Sequence, residues 1–149
     1  MASDKRVAIM DLFVHVTVDN FQALQVALQK TAAAGTDLTK VLDAQGNSLM
    51  HACVQQGSIQ CLQVVAKFAP ALVEQRNPNT RMAPLHLAIS LGMVNCVHGL
   101  LQSGADPNAA CLHTVLGQAM PLYMAVTTGN SPLVTLMLRG GAQVDTLSL

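Results

Sequence analysis

The 149-residue chain has no tryptophan, one tyrosine and three phenylalanines. It therefore lacks the aromatic platforms on which single-stranded nucleic acids stack. Eight Lys and Arg residues balance eight Asp and Glu, so there is no positive field to attract nucleic acid or an anionic membrane. Charged residues make up 11% of the chain, less than half of the roughly 25% usual in soluble domains. Apolar runs are short as well. None approaches the roughly 18 to 20 residues that would span a bilayer. The start carries a basic pair, Lys5 and Arg6, ahead of apolar residues, but Asp11 and His15 interrupt the run and no small-residue cleavage site follows. This reads as a helix rather than a signal peptide. Cys53, Cys61, Cys96 and Cys111 form no C-x-x-C pair, which points to reduced thiols in a cytoplasmic or nuclear setting rather than to a disulfide framework.

Motifs that carry chemistry are also missing. There is no nucleophile elbow, phosphate loop or H-E-x-x-H pair, and the eight acids are scattered between Asp4 and Asp145. The chain is expected to be no enzyme and to hold no metal or cofactor.

What is present is hydrophobicity, 51% of residues, in a repeating arrangement. Residues 81–108 carry two short helical patterns with their own boundaries. Pro84 suits a first helical turn, where its missing N–H costs nothing. Leu85, Ala88 and Ile89 then share a face, and Gly92 stands where a positive φ is required. A second pattern begins near Met93, with Val94, Val97, Leu100 and Leu101 on one face until Ser103 and Gly104 stop it. Val97 and Leu101 are the expected core positions. Helices this short are marginal alone. The unit therefore requires copies of itself.

The copies are legible. Aligning the chain on itself superposes Gly57, Gly92 and Gly129, with Met50, Leu85 and Leu122 coinciding, and Leu62, Val97 and Val134 likewise. His51 and His86 are separated by 35 residues, and His86 and Tyr123 by 37. With the P-L-H turn at Pro84 to His86 and the G-A-D-P-N ending from Gly104, the pattern resembles the ankyrin repeat. The resemblance implies an all-α solenoid of helix-turn-helix units joined by loops or hairpins. One domain over 1–149 is expected, with repeats over 43–76, 79–108 and 117–145. Residues 7–36 read as a degenerate N-terminal helical cap, in which Val7, Met10, Phe13, Val14 and Val18 fall near one face and Phe21, Leu24, Ala27 and Leu28 form the second pattern. The pattern ends near Asp145 without a capping helix. Either further repeats belong to a longer protein, or an apolar end face is open to self-association.

Departures from the family pattern carry consequences. The family's capping threonine is replaced by Ser48, Ala83 and Met120, so only Ser48 keeps a hydroxyl there. A lost cap typically costs about 1 kcal/mol. The loops are lengthened relative to a period of about 33 residues, and loops carry binding.

His51 and His86 at equivalent positions suit either a metal pair, with help from Cys53, Cys61 or Cys96, or ties to backbone between neighbouring repeats. The resemblance implies the ties, and an imidazole can donate and accept at once. Cys61 and Cys96 lie one repeat apart, so at helix separations of about 8 to 10 Å they cannot be bridged. Cys111, in the long loop over 109–118, is expected to be an exposed free thiol.

The resemblance further implies a concave face on which a partner protein docks. Its loop residues would be Arg76, Asn77, Asn79, Thr80 and Arg81, then Leu112, His113, Thr114 and Val115. Its helical residues would be Gln55, Gln56, Leu87, Ser90, Leu91, Met124, Thr127 and Thr128. This face is neutral with apolar spots, so it suits exposed aliphatic groups on the partner. The expected function is non-catalytic binding by a scaffold, adaptor or inhibitor. Alternatives are a regulatory or targeting segment of a larger protein, and a binder of a transcription factor, since the G-N-S-L-M-H turn is similar to the middle repeats of the inhibitor-of-NF-kappa-B group.

Overall fold

A computed structural model of the chain describes residues 2–109, 111–113, 117–119 and 121–141, with side chains from residue 10 onward except in the two strands. The helices are α1 (Ala2–Thr17), α2 (Phe21–Ala33), α3 (Leu49–Gln56), α4 (Ile59–Phe68), α5 (Pro84–Ser90), α6 (Val94–Gln102), α7 (Pro121–Thr128) and α8 (Ser131–Arg139). Single 3-10 turns occupy Leu38–Lys40 and Pro70–Val73. Strands β1 (Cys111–His113) and β2 (Gly117–Ala119) pair antiparallel, with Leu112 opposite Gln118.

Local sequence explains the boundaries. The side chains of Asn20, Ser48, Ser58 and Asn130 each accept a backbone N–H at the start of α2, α3, α4 and α8. Gly57, Gly92 and Gly129, the superposed trio, have φ of 69°, 71° and 72° and turn the chain from the first helix of each pair into the second. Where Ala83 offers no capping oxygen, its own N–H is still satisfied by His86 Nδ1 at 3.0 Å. The imidazole therefore retains one half of the cap that the missing hydroxyl forfeits.

The eight helices of the described residues stack in two rows. One row is α1, α3, α5 and α7, the other α2, α4, α6 and α8, and each pair also packs within itself. The core runs continuously between the rows, through Leu24, Met50, Leu62, Leu85, Val97, Leu100 and Leu122. Within α6, Val97 and Leu100 are fully buried, while Leu101 is half-buried against the approach of Gly140. Leu100 thus takes the core role expected of Leu101. At Gly99 an added Cβ would meet Leu62 at 3.3 Å, so a small residue lets α4 and α6 approach closely.

The first helix corrects the expected face. Leu12 and Val16 are buried against the stack, whereas Met10, Val14 and Val18 are exposed and Phe13 is half-buried. The side chain of Val7 lies outside the described residues. Apolar residues occur on several sides of this helix, so spacing alone did not select the buried one. The expected boundaries at 142–145 also lie outside the described residues.

Replacing Leu100 by Ala should lower stability in urea by about 2 to 5 kcal/mol, and Val97→Ala by less. Arg76→Ala, at an exposed position, should stay within about 0.5 kcal/mol. An Arg76 loss equal to that of Leu100 would contradict the burial pattern.

Candidate functional site

The loops ahead of α3 and α5 build one side of the molecule, and each folds around a short polar side chain. In the first, Asp43 Oδ1 accepts from the N–H of Gln45 at 2.8 Å and of Asn47 at 2.9 Å. In the second, Asn77 Oδ1 accepts from the N–H of Asn79 at 2.7 Å and of Thr80 at 3.3 Å. Both side chains compete for local backbone donors and so close turns rather than helices. Counting back from the two histidines places Gly46 and Arg81 at the same point of these loops. Both have positive φ, 88° and 61°. Arg81 tolerates this strained region because its N–H donates to Asn77 O at 2.7 Å and its carbonyl accepts from Arg76 at 3.1 Å.

The two loops are then tied together. Asn77 Nδ2 donates to Gln45 O at 3.2 Å and to Asn47 Oδ1 at 2.7 Å, and Asn79 Nδ2 donates to Gln45 O at 2.9 Å. Beneath them His51 Nδ1 accepts from the Ser48 N–H at 3.3 Å while its Nε2 lies 2.8 Å from Met82 O. A backbone N–H can only donate, so Nδ1 is the unprotonated nitrogen and Nε2–H donates to the next loop. His86 repeats the device one unit later, with Nε2 2.6 Å from Ala109 O. Both imidazoles are the inter-repeat ties that the resemblance implied. Burial is the main cause that holds each below the ordinary imidazole value of 6.5, opposed by the hydrogen bond to carbonyl.

Two of the expected binding residues, Asn77 and Met124, are buried, and Asn79 is exposed but tied to the neighbouring loop. Met124 is 6% exposed and belongs to the core. It sits in the last described repeat at the position of Ala52 and Leu87, and its longer side chain folds inward against the stack. Gln55 and Gln56 are exposed at the end of α3, and Leu91 is 48% exposed beside half-buried Leu87. Thr127 and Thr128 are exposed, with hydroxyls bonded back to Met124 O and Ala125 O. Arg76, Thr80, Arg81 and Ser90 are exposed as well. Leu112 and His113 lie on β1, and their side chains, like residues Thr114 and Val115, fall outside the described residues. The same holds for the Cys111 side chain.

A shallow cavity of about 260 Å³ lies between the two loops and the helices α3 and α5. Gln55, Asn77, Thr80 and Leu87, four of the residues expected on the docking face, are among those that line it. Gln45, Asn47 and Met82 line it too. Asn47 lies in the G-N-S-L-M-H turn, but nothing in the sequence marked Gln45 and Met82 as its neighbours here, because their proximity depends on how the second loop folds back over the first.

The thiols Cys53, Cys61 and Cys96 are free and buried in the core, and burial raises all three from their ordinary values, Cys53 the most. Such thiols are poor nucleophiles. Ser58 hydroxyl, which caps α4, also donates to Asp19 Oδ1. Among the described residues no three His, Cys, Asp or Glu side chains converge as a metal would require, and no helix is long and apolar enough to cross a membrane.

Paired short helices, loop-to-loop ties and repeated glycines define a helical repeat array, and the chain belongs to the ankyrin-repeat family, whose repeats are protein-interaction modules: a family model of ankyrin repeats in three copies matches residues 12–111. The chain is 28% identical to the nuclear factor NF-kappa-B p105 subunit of Gallus gallus over 134 residues, 88% of this chain and 13% of that protein. It is 33% identical over 82 residues to ankyrin repeat and SOCS box protein 2 of Bos taurus, 55% of this chain and 13% of that protein. The p105 subunit of Mus musculus is 30% identical over 113 residues, 74% of this chain and 11% of that protein. The chain thus spans only about an eighth of the length of these relatives.

Because burial lowers the His51 and His86 values, the unfolded chain takes up more protons as pH falls below about 6.5. Stability should be complete above that pH and decline as pH falls through 6.5 toward the folded values. Urea melts between about pH 7.5 and pH 5 would show this, and His86→Gln should flatten the slope while lowering stability at neutral pH. A second test concerns the loops. Gly46→Ala places a Cβ 2.8 Å from Asn77 and Asn79 at a positive φ and should cost about 1 kcal/mol or more, whereas Arg81→Gly should cost nothing.

Proposed function

We propose that the domain binds another protein without catalysis, as a scaffold, adaptor or inhibitor that masks a partner's surface. The docking face in this reading is the concave side formed by the loop tips and the ends of α3, α5 and α7. The observation that carries it is the exposed row of Gln55, Gln56, Leu91, Thr127 and Thr128 around half-buried Leu87. Neutral amides and hydroxyls around an accessible leucine match the composition of interfaces, in which a few desolvated apolar anchors dominate. The partner is a protein with exposed aliphatic groups, not a nucleic acid or a membrane.

Similarity to the NF-kappa-B p105 subunit favours a narrower version, an inhibitor-of-NF-kappa-B-like binder of a transcription factor. The small share of the relatives that the chain spans favours a domain acting within a longer protein, where it would regulate or target activity located elsewhere. Self-association or stacking of further repeats belongs to the opposite end of the array. There Val126 is 47% exposed at the position where Val54 and Ile89 are fully buried by the following repeat.

Capture of partners from cell lysate by the intact domain should be lost in a Leu91→Glu, Thr127→Glu variant and kept in Gln63→Glu, whose site lies exposed on α4. Equal capture by all three proteins would move the docking face away from the first-helix row.

A further inference from the structure

The row of α2, α4, α6 and α8 carries charge of one sign although the chain as a whole is neutral. None of these four helices contains an acidic residue, while Lys30, Lys67 and Arg139 stand in the last turns of α2, α4 and α8 and His98 lies in the middle of α6. The loops that follow α4 and α6 hold the carboxylates Glu74 and Asp106. Glu74 Oε1 accepts from the Asp106 N–H at 2.7 Å, and Asp106 Oδ1 accepts from the Asn108 N–H at 2.9 Å. Lys67 lies 5.8 Å from the centre of the Phe68 ring. Arg139 is exposed and forms neither an ion pair nor a hydrogen bond with another described residue.

Arg139 lines an open groove of about 520 Å³ between α6 and α8, on the row of helices away from the loop tips. Residues three and four apart share a helical face, so Thr135, Leu136 and Arg139 form one wall and Asn95 and His98 the other. Val94 and Leu136, both half-buried, give the groove an apolar surface. Asn95, His98 and Thr135 are exposed and, like Arg139, bond to no other described residue. No Asp or Glu lines the groove. It is an apolar strip edged by free polar groups and one uncompensated guanidinium, whose planar fork matches a carboxylate. Clusters of about four to eight Lys or Arg draw a protein to an anionic membrane, and this row carries fewer, spread over separate helices. One guanidinium beside an apolar strip fits a carboxylate next to aliphatic side chains, the pattern on one side of an acidic amphipathic helix. The nine residues of α8 span roughly 13 Å, the length of about two turns of such a helix.

We propose that the groove between α6 and α8 docks an acidic amphipathic helix of a protein partner, with aliphatic side chains against Val94 and Leu136 and a carboxylate on the Arg139 guanidinium. This surface lies on the other row from the first-helix docking face and does not depend on it. The experiment titrates the full chain, labelled with nitrogen-15, with a capped peptide of two Leu-Glu-Ala-Ala-Leu-Glu-Ala units. One control peptide has lysine in place of every glutamate, and another has serine in place of every leucine. The acidic peptide should shift the backbone amides of residues 94–98 and 131–139 saturably, with a dissociation constant on the order of 0.1 to 1 mM. Each control should bind at least tenfold more weakly. Arg139→Glu should weaken the acidic peptide at least tenfold and strengthen the lysine peptide, an exchange that a loss of stability would not produce. Leu91→Glu, Thr127→Glu should bind the acidic peptide as the unaltered chain does. Unchanged binding by Arg139→Glu, equal binding of either control, or shifts confined to α3, α5 and α7 overturns the proposal. So does sedimentation with phosphatidylserine vesicles in the absence of peptide binding, which would assign the row to a membrane. Any of these failures leaves the first-helix face standing, because its own test alters only residues of the other row.

Discussion

The hydrogen bond from His51 Nε2 to the Met82 carbonyl reaches out of one repeat into the next, and His86 to Ala109 extends the same connection. Helices of seven to ten residues, such as α3 to α6, cannot recover the cost of nucleation alone. They persist because each lies between neighbours that bury its apolar face, and the imidazoles set the distance at which that burial occurs. One nitrogen closes the turn at the start of its own helix and the other holds the following loop. The same side chain therefore couples local structure to the stack.

The loops solve one geometric problem in two ways. The first uses an aspartate and a glycine, Asp43 and Gly46, and the second uses Asn77 and Arg81. Replacing glycine by arginine at a positive φ costs about 1 to 2 kcal/mol, and bonds to both the N–H and the carbonyl of Arg81 offset that strain. Asn77 carries a donor that Asp43 lacks, and it is this donor that joins the second loop to the first. The loops are consequently held in place before any partner arrives. On the docking face proposed above, such pre-organisation would reduce the entropy lost on binding.

Burial also distinguishes the interior of the array from its ends. Positions occupied by Val54 and Ile89 vanish beneath the next repeat, while Val126 stays open. At the other end Met10 and Val14 on α1, and Val18 just after it, stay exposed, while the main packing of α1 among the described residues is against α2 and α3. The same division bears on the expected docking residues. Leu91, Gln55 and Thr127 are open because they stand at the ends of first helices, beyond the reach of the row behind them. Met124, one turn earlier, is not.

Start and stop residues such as Pro84, Ser48 and the three equivalent glycines act within a few residues of themselves, and the repeat registers them several times over. The sequence by itself therefore determined the helix pairs, their order and the family to which they belong. Those interactions are local, and repetition raises a weak periodic signal above ambiguity. The tertiary structure alone decided which face of α1 is buried, that Leu100 and not Leu101 is the core residue, that Met124 points inward, and that Asn47, Gln45 and Met82 share a cavity with Leu87. Each of those facts depends on contacts between residues about 30 or more apart in the chain, or on which neighbour happens to cover a helix. A periodic pattern carries no record of that choice, because it shows that a helix has an apolar side without showing where the rest of the chain will lie.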